Sequence, residues 1–255
     1  MTSILSFINQ KGGVGKTTSA VNVALSLAVS EVRTLIVDLD PQANATTGLS
    51  SICSNLDGSV YDILIKGAEI LDVINKTSFS HLDIIPSTND LVGAEVELVG
   101  VIAREYQLKK SLEQISEKYD IIIIDCPPSL GLLTVNSLTA SDEIIIPIQC
   151  EYYALEGLGQ LLNTVRLVQQ NLNKNLKIGG VVMTMFDSRL NLSNQVVKEV
   201  DGFFKEKLFK TMIHRNVRLS EAPSFGKPAL LYDASSTGAQ NYLSLTEEIL
   251  KRVNQ

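Results

Sequence analysis

The chain has 255 residues, 45% hydrophobic and 20% charged, which fits one large α/β domain with an ordinary core. Its formal net charge of −6 argues against indiscriminate nucleic-acid binding over the whole surface, although a local basic patch stays open. Three widely spaced cysteines argue against a disulfide framework or a zinc knuckle. Residues 1–10 carry no basic residue, so no signal peptide is expected, and the apolar runs are too short to span a bilayer. We expect a cytoplasmic protein with a single domain over 1–255.

Short apolar runs alternate with longer helical stretches along the chain. The predicted strands are 4–8, 34–39, 82–85, 121–124, 143–148, 177–183 and, more weakly, 210–213. The predicted helices lie near 16–30, 91–117, 131–140, 154–172, 190–206 and 239–253. Several strands are apolar throughout, as parallel strands covered on both faces are. This order predicts a doubly wound α/β fold, with a mostly parallel sheet and helices on both faces.

Residues 10–18 follow the first predicted strand and open the first predicted helix. They read Gln-Lys-Gly-Gly-Val-Gly-Lys-Thr-Thr, which ends like a phosphate-binding loop. Glycines let backbone N–H groups approach phosphate oxygens, and the helix N-terminus adds favourable partial charge. We expect Lys16 to bind the outer phosphates and Thr17 to offer its hydroxyl to Mg²⁺. The standard loop has glycine where this chain has Gln10, and an additional lysine, Lys11, stands beside it.

Two more predicted strands end in aspartates. Ligands of doubly wound sheets bind beyond the carboxyl ends of the strands, so these aspartates converge on the same rim as the loop. Asp125 follows four isoleucines and fits the group that orients the water shell of a metal, although taken alone it could equally cap a loop. In Val-Asp-Leu-Asp-Pro-Gln, residues 37–42, one aspartate could steady the loop while Asp40 orients the attacking water.

Together these three segments resemble the ParA/MinD group of deviant Walker A ATPases. The later segment Asn-Val-Arg-Leu-Ser-Glu-Ala-Pro-Ser, residues 216–224, narrows the resemblance to the Soj-like ParA proteins of chromosome and plasmid partition. The resemblance covers essentially the whole chain. It implies a P-loop ATPase that uses ATP or ADP with Mg²⁺ and forms a sandwich homodimer when ATP is bound.

The resemblance also implies roles for individual residues. Lys11, Lys16 and Asp40 would be catalytic, with Lys11 reaching the nucleotide of the partner subunit. Thr17 and Asp125 would support the metal. The implied nucleotide-binding residues are Lys11, Gly12, Gly13, Val14, Gly15, Lys16, Thr17 and Thr18, with Arg215 and Asn216 near the adenine.

The chain departs from the family pattern at two positions. Family members commonly have glycine after Asp-Pro-Gln, where this chain has Ala43, and we expect little consequence. They commonly have proline before the Arg-Asn pair, where this chain has His214, which weakens the adenine assignment.

The stretch 187–218 carries seven basic residues against four acidic ones, a net charge of +3 in a chain of −6. Composition alone favours an ordinary solvated surface there. The resemblance changes this interpretation, because Arg189 and Arg218 fall where Soj-like proteins carry arginines that contact DNA. No recognition-helix or zinc pattern is visible, so binding to the phosphates of non-specific double-stranded DNA is expected. The resemblance further implies a ParB-type centromere-binding partner that stimulates hydrolysis, and release from DNA afterwards.

Rival interpretations come from proteins with related loops. A MinD-like membrane-positioning ATPase needs a terminal basic amphipathic helix, and 240–255 does not supply one, so no membrane partner is expected. An iron–sulfur protein needs suitably placed cysteine pairs, and Cys126 and Cys150, which border predicted strands, do not resemble that arrangement. Metabolic ligases of the same fold, such as dethiobiotin synthetase, remain a minor alternative. Tyr152 and Tyr153 are expected to pack the start of a helix rather than to stack on bases.

Overall fold

The computed structural model describes residues 2–152 and 154–253, and within them the strands form one seven-stranded sheet. In chain order they are β1 (Ser3–Phe7), β2 (Thr34–Asp38), β3 (Asn75–Lys76), β4 (Leu82–Ile85), β5 (Ile121–Asp125), β6 (Glu143–Gln149) and β7 (Lys177–Thr184). Across the sheet the order is β3-β4-β2-β5-β1-β6-β7, and every neighbouring pair is parallel except β3 with β4. The predicted doubly wound, mostly parallel fold is confirmed.

The helices cover both faces of the sheet. The α-helices are α1 (Lys16–Val29), α2 (Asn44–Gly48), α3 (Ile70–Val73), α4 (Leu91–Glu97), α5 (Gln107–Glu113), α6 (Leu132–Ala140), α7 (Leu158–Asn171), α8 (Asn191–Phe204), α9 (Val217–Glu221), α10 (Ala229–Tyr232) and α11 (Thr237–Val253). Successive strand residues such as Ile122 and Ile123 point to opposite faces and join separate apolar cores. Helices α1 and α11 contribute to one core, and α4 to α8 contribute to the other.

Strand β5 lies between β1 and β2, and this position brings the polar strand ends together. All five of its residues are buried, because helices cover both of its faces. In the parallel register, Asp125 stands opposite Phe7 of β1 and opposite Asp38 of β2. The loop that follows β1 and the aspartates of β2 and β5 therefore share one rim.

The single helix predicted over 91–117 is wrong. The segment forms α4, two short 3₁₀ turns and α5. Ala103 has a φ of +52°, in the left-handed region that interrupts a right-handed helix. The side chain of Asn136 on α6 donates to the Arg104 carbonyl at 2.8 Å, which holds the interruption in place. A contact between distant segments sets this break, and local periodicity does not reveal it.

The weak strand predicted at 210–213 is also wrong. The chain does run along the edge of β7, where the N–H groups of Phe209 and Ile213 donate to carbonyls of that strand. The N–H groups of Lys210 and Thr211, however, donate to the carboxylate of Glu248 on α11. Because a side chain takes these donors, the segment does not form a continuous ladder.

Smaller differences concern element ends. Strands β1 and β2 each end one residue before the predicted ends at 8 and 39, because the chain leaves the sheet there to form loops. Helix α7 begins at Leu158 rather than near 154, and the two-residue β3 was not predicted. Tyr152 is 76% exposed, so its predicted packing is wrong, and Tyr153 lies outside the described residues.

No helix within 2–152 and 154–253 is long and apolar enough to cross a membrane.

Candidate functional site

The loop between β1 and α1 has the shape that phosphate binding requires. Gly13 and Gly15 have φ values of +73° and +85°, which side chains other than glycine rarely adopt. Gly15 is the N-cap of α1, so the free N–H groups of the first helical turn adjoin the loop. A Cβ atom added to Gly12 or Gly13 would meet nothing within 4 Å. The loop thus presents its backbone to open space.

Two hydrogen bonds fix the loop from inside. Thr184, at the end of β7, donates its hydroxyl to the Val14 carbonyl at 2.8 Å. The buried Lys16 side chain donates from Nζ to the Lys11 carbonyl at 3.3 Å. Burial lowers the pKa of Lys16, and the nearby carboxylates, Asp125 foremost, act in the opposite direction. A bound phosphate group would place more negative charge beside this buried ammonium and so favour its charged form.

Asp125 ends β5 beside this loop. Its carboxylate is fully buried, and neither oxygen has a hydrogen-bond partner among the described residues. Burial raises the pKa of Asp125, and the charge of Asp38 raises it further. Thr17 and Lys16 lie close enough to oppose this rise, but no hydrogen bond to the carboxylate is completed. Since an unsatisfied buried carboxylate is costly, Thr17 and Asp125 together fit a hydrated Mg²⁺ ion.

Asp38 and Asp40 have different surroundings. Asp38 accepts the N–H and the hydroxyl of Thr46 at 2.8 and 2.7 Å, and it accepts the Asp40 N–H at 3.2 Å. Burial raises the pKa of Asp38 to about 6, although these hydrogen bonds oppose the rise. Asp40 is 5% exposed, accepts the Gln42 N–H at 2.9 Å and lines the adjoining cavity. Asp38 therefore holds the loop, and Asp40 is the aspartate available to a ligand.

A cavity of about 400 Å³ opens at this rim, beyond the carboxyl ends of the strands. The phosphate loop and the start of α1 form one side of it, including Gly12, Gly13, Gly15, Lys16 and Thr17. Residues between 219 and 229 form another side, including Leu219, Pro223 and Lys227. A cavity of this size and mixed polarity suits a nucleotide.

Comparison with known proteins agrees with this geometry. A family model described as an AAA domain matches residues 2–178. The Bacillus subtilis sporulation initiation inhibitor protein Soj is 57% identical over 249 residues, which cover 98% of each chain. The Myxococcus xanthus chromosome partitioning protein ParA is 54% identical over 249 residues, which cover 98% of this chain and 88% of that protein. This chain belongs to the Soj/ParA family.

A solved structure gives a further comparison. Cobyrinic acid a,c-diamide synthase from Mycobacterium smegmatis, with bound ADP and magnesium, matches with a TM-score of 0.87 and 35% identity. The match covers 100% of this chain and 96% of that one. Its ligands support the predicted ATP or ADP and Mg²⁺. Because the two Soj/ParA relatives are more similar in sequence, the predicted ATPase activity and partition class are confirmed over the metabolic ligase alternative.

The Lys11 side chain of this Soj/ParA protein forms a surface ion pair. It is absent from the residues that line the cavity, and its Nζ lies 3.7 Å from Glu151 Oε2. Its N–H donates to Asn9 Oδ1 at 3.0 Å, which fixes the start of the loop. Its side chain remains one-third exposed. The structure thus separates the two lysines of the loop, with Lys16 inside the site and Lys11 at its surface.

Arg215 and Asn216 line a second, smaller cavity of about 140 Å³. This cavity shares Gly15 and Thr18 with the larger one, so both residues lie near the phosphate loop. The side-chain oxygen of Asn216 accepts the Arg218 N–H at 2.8 Å and caps α9. Asn216 therefore already has a structural task, and only its amide N–H₂ group is available to donate to a base.

The two departures from the family pattern are accommodated differently. Ala43 has a φ of +50°, so it occupies a left-handed position that glycine would adopt more easily. His214 donates its N–H to Asn241 Oδ1 at 3.1 Å and packs edge-on against Phe186, with ring centroids 5.3 Å apart. A proline has no N–H to donate, so in this chain His214 ties the segment to α11.

Both predicted DNA-contacting arginines are at the surface, and each is paired with a carboxylate. The side chain of Arg189 is 85% exposed and contacts Asp187 at 2.7 Å. The side chain of Arg218 is 49% exposed and contacts Glu221 at 2.8 Å and Asp233 at 3.3 Å. The structure does not bring the two arginines into the nucleotide cavities.

Several residues of the site escaped the sequence analysis. Thr46, Thr184 and Asn22 hold the loops through hydrogen bonds, and Asn22 accepts the Ala229 N–H at 2.7 Å. Thr184 ends a predicted strand at the ligand rim, and that position was a usable signal. Asn22 lies inside an apolar helix, where nothing in the local pattern indicates its distant partner.

Proposed function

We propose that this Soj/ParA ATPase acts as a DNA-segregation switch within one ParA-type domain spanning 1–255. In the ATP-bound state it forms a sandwich homodimer on non-specific double-stranded DNA. Hydrolysis, stimulated by a ParB-type centromere-binding protein, returns it to a form that leaves DNA. The observation that carries this proposal is the fully buried Asp125 carboxylate, which has no hydrogen-bond partner in the part of the chain that the structure describes, beside a glycine loop with open space before it.

The residues around the cavity supply the groups that phosphoryl transfer needs. The backbone of residues 12–18 and the Lys16 ammonium would hold the phosphates, and Asp40 would orient the attacking water. Thr17 and Asp125 would hold Mg²⁺, which supplies charge neutralisation on the phosphate oxygens when bound. Phosphoryl transfer depends mainly on positioning and electrostatic stabilisation, which are what these groups would provide, with Lys11 of a second copy adding a further positive charge.

In this proposal Lys11 is the residue that makes dimer formation depend on ATP. Its position outside the cavity of its own chain supports the proposal that it serves the nucleotide of a second copy. Its contact with Glu151 is long and exposed, and such ion pairs contribute little stability. The ammonium can therefore exchange a carboxylate for a phosphate when two ATP-loaded chains meet.

DNA binding is assigned to Arg189 and Arg218, and adenine contacts to Arg215 and Asn216. Two arginines from each subunit of a dimer would make four phosphate contacts, which gives a salt slope near ~3.6 on a log–log scale. Such binding is weak, independent of base sequence and strongly dependent on salt. These properties suit a cytoplasmic protein that binds the nucleoid when ATP is bound and leaves DNA after each cycle.

One experiment tests the proposal directly. ATPase rate and oligomeric state are measured with and without double-stranded DNA and a ParB-type partner, at fixed Mg²⁺. We expect an ATP-dependent dimer, DNA binding by that dimer, and faster turnover when DNA and partner are both present. A monomer whose turnover ignores both would exclude the partition switch. ATP-dependent binding to liposomes in place of DNA would instead favour the MinD-like alternative.

A further inference from the structure

Arg218 is held by acidic and aromatic neighbours on its own short segment. Its Nη1 contacts Glu221 Oε2 at 2.8 Å, and its Nε lies 3.3 Å from Asp233 Oδ2. The guanidinium stands 6.0 Å from the centre of the Tyr232 ring, and the Tyr232 hydroxyl donates to the same Glu221 oxygen at 3.2 Å. The arginine lowers the pKa of Glu221, so the pair is ionised at neutral pH. Two carboxylates therefore already pair with the positive charge of Arg218, which a DNA phosphate would have to contact.

The same segment, 216–233, forms a wall of the larger nucleotide cavity. Leu219 and Pro223 line the cavity, and they flank Glu221 in sequence. The Ala229 N–H is bound by Asn22, which lies on α1 one turn after the phosphate loop. Arg218 and its carboxylates thus belong to a piece of backbone that touches the ligand site from the other side.

Arg189 repeats this arrangement on a different segment. Its Nε and Nη2 contact the two oxygens of Asp187 at 2.9 and 2.7 Å, a bidentate pair. Thr184, three residues before Asp187, holds the phosphate loop at the Val14 carbonyl. Met185, between them, lines both cavities and has a φ of +52°. The second arginine is therefore also neutralised in place, on a segment attached to the nucleotide loop.

We propose that Asp187, Glu221 and Asp233 compete with DNA phosphate for the two arginines, and that the nucleotide in the adjoining cavity decides this competition. The inference rests on the proposed function, in which Arg189 and Arg218 bind DNA. With ATP bound, the cavity walls shift and the carboxylates release the arginines to phosphate. With ADP bound, the carboxylates recapture them and DNA is released.

The strengths of the contacts suit such an exchange. Exposed ion pairs are weak and easily replaced, and DNA offers a dense array of phosphates with the same bidentate geometry. A small displacement of Asp233 relative to α9, within the 216–233 wall, would weaken one of the two carboxylate contacts of Arg218, because the Arg218–Asp233 contact at 3.3 Å is already long. The nucleotide needs only a different contact with the wall in its two states to shift the balance.

The test uses Asp187→Asn and Glu221→Gln in the full-length protein, which keep the shape of each side chain and remove its charge. DNA affinity is measured with Mg-ADP and with a non-hydrolysable ATP analogue. We expect each variant to bind DNA roughly 2–5-fold more tightly in the ADP state, the factor that one exposed ion pair represents. Affinity in the ATP-analogue state should change less, so the ratio between the two states falls.

Two controls separate pairing from general charge. Glu199→Gln makes the same charge change on α8, on an exposed side chain in the same basic stretch, and it should leave the ratio unchanged. Glu221→Gln placed on Arg218→Ala should have no further effect, because the partner is already gone. Unchanged ADP-state affinity in both charge variants, or an equal effect of Glu199→Gln, overturns the inference. Absence of DNA binding by the unaltered protein with ATP overturns the proposed function itself, and the inference with it.

Discussion

The phosphate loop and the arginine surface treat their charged groups in opposite ways. At the loop, Asp125 is buried without a hydrogen-bond partner among the described residues, and burial lowers the pKa of Lys16. At the surface, Arg189 and Arg218 are each paired with carboxylates of the chain. Within the described residues, the fold thus leaves the buried Asp125 carboxylate without a partner and pairs the two surface arginines.

This difference corresponds to two kinds of binding. A ligand that completes unsatisfied buried groups recovers the full cost of their burial, so it binds firmly. A ligand that replaces existing surface partners gains only a small difference, so it binds reversibly and depends on salt. The proposed function would thus combine a site that holds nucleotide firmly with a surface that binds DNA reversibly.

The largest expected effect concerns Asp125. Asp125→Asn should lower ATPase activity by ~10–100-fold, as the loss of a group in the outer shell of a metal does. It should also raise stability, because the wild-type carboxylate has a raised pKa and its ionisation destabilises the fold as pH rises. Wild-type stability should therefore fall more steeply than that of the variant as the pH rises above the ordinary range of a carboxyl pKa. Thermal melts across this range measure the slopes, and parallel slopes would contradict a charged, unsatisfied Asp125.

A substitution of Lys11 tests whether this lysine serves the nucleotide of a second copy rather than that of its own chain. Lys11→Ala should bind ATP within about 3-fold of wild type and lose ATP-dependent dimerisation, because the Lys11 side chain is not among the residues that line the cavity. Nucleotide titration and light scattering check the two properties. Lys16→Ala should lose nucleotide binding itself, and Lys174→Ala, an exposed lysine after α7, should lose neither. Normal dimerisation by Lys11→Ala would exclude the assigned role.

The arginine surface should respond in its salt dependence. Arg218→Ala removes two of four proposed phosphate contacts in a dimer, so the log–log salt slope should drop from ~3.6 to ~1.8. Affinity measured at several salt concentrations gives this slope. Arg166→Ala, an exposed arginine on α7, should leave it unchanged. An unaltered slope in Arg218→Ala would show that the DNA contacts lie elsewhere.

The smallest expected effect concerns Ala43, which is near the rim but has no proposed contact with a ligand. Ala43→Gly relieves a left-handed backbone and increases the freedom of the unfolded chain, so stability should change by less than about 1 kcal/mol. Urea denaturation measures the difference. Ala24→Gly, inside α1, should destabilise by about 1 kcal/mol or more, because that residue is helical and buried.

The nucleotide rim was accessible from sequence because its determinants are local. Four isoleucines before Asp125 predict a buried strand and its end, and Gly-Lys-Thr after another strand predicts the loop and helix. In a parallel sheet, strand ends with polar groups converge by topology alone. These inferences need no contact between distant segments.

The remaining features depend on long-range contacts. Glu248 takes the N–H groups of Lys210 and Thr211, which turns a predicted strand into a loop. Asn136 fixes the break after α4 in the same way. The carboxylate partners of Arg218 include Asp233, whose proximity depends on the turn between α9 and α10. Charge counting detected the basic stretch, but it cannot show which charges are already neutralised.

The hydrogen bond from Thr184 to Val14 joins residues 170 positions apart. A growing polypeptide presents its complete glycine motif long before the ribosome adds the residue that shapes it. Asn22 likewise waits for Ala229, 207 positions later. A growing chain that has not reached these residues therefore carries the nucleotide motif without the finished pocket, so firm ATP binding is expected only after they have been added.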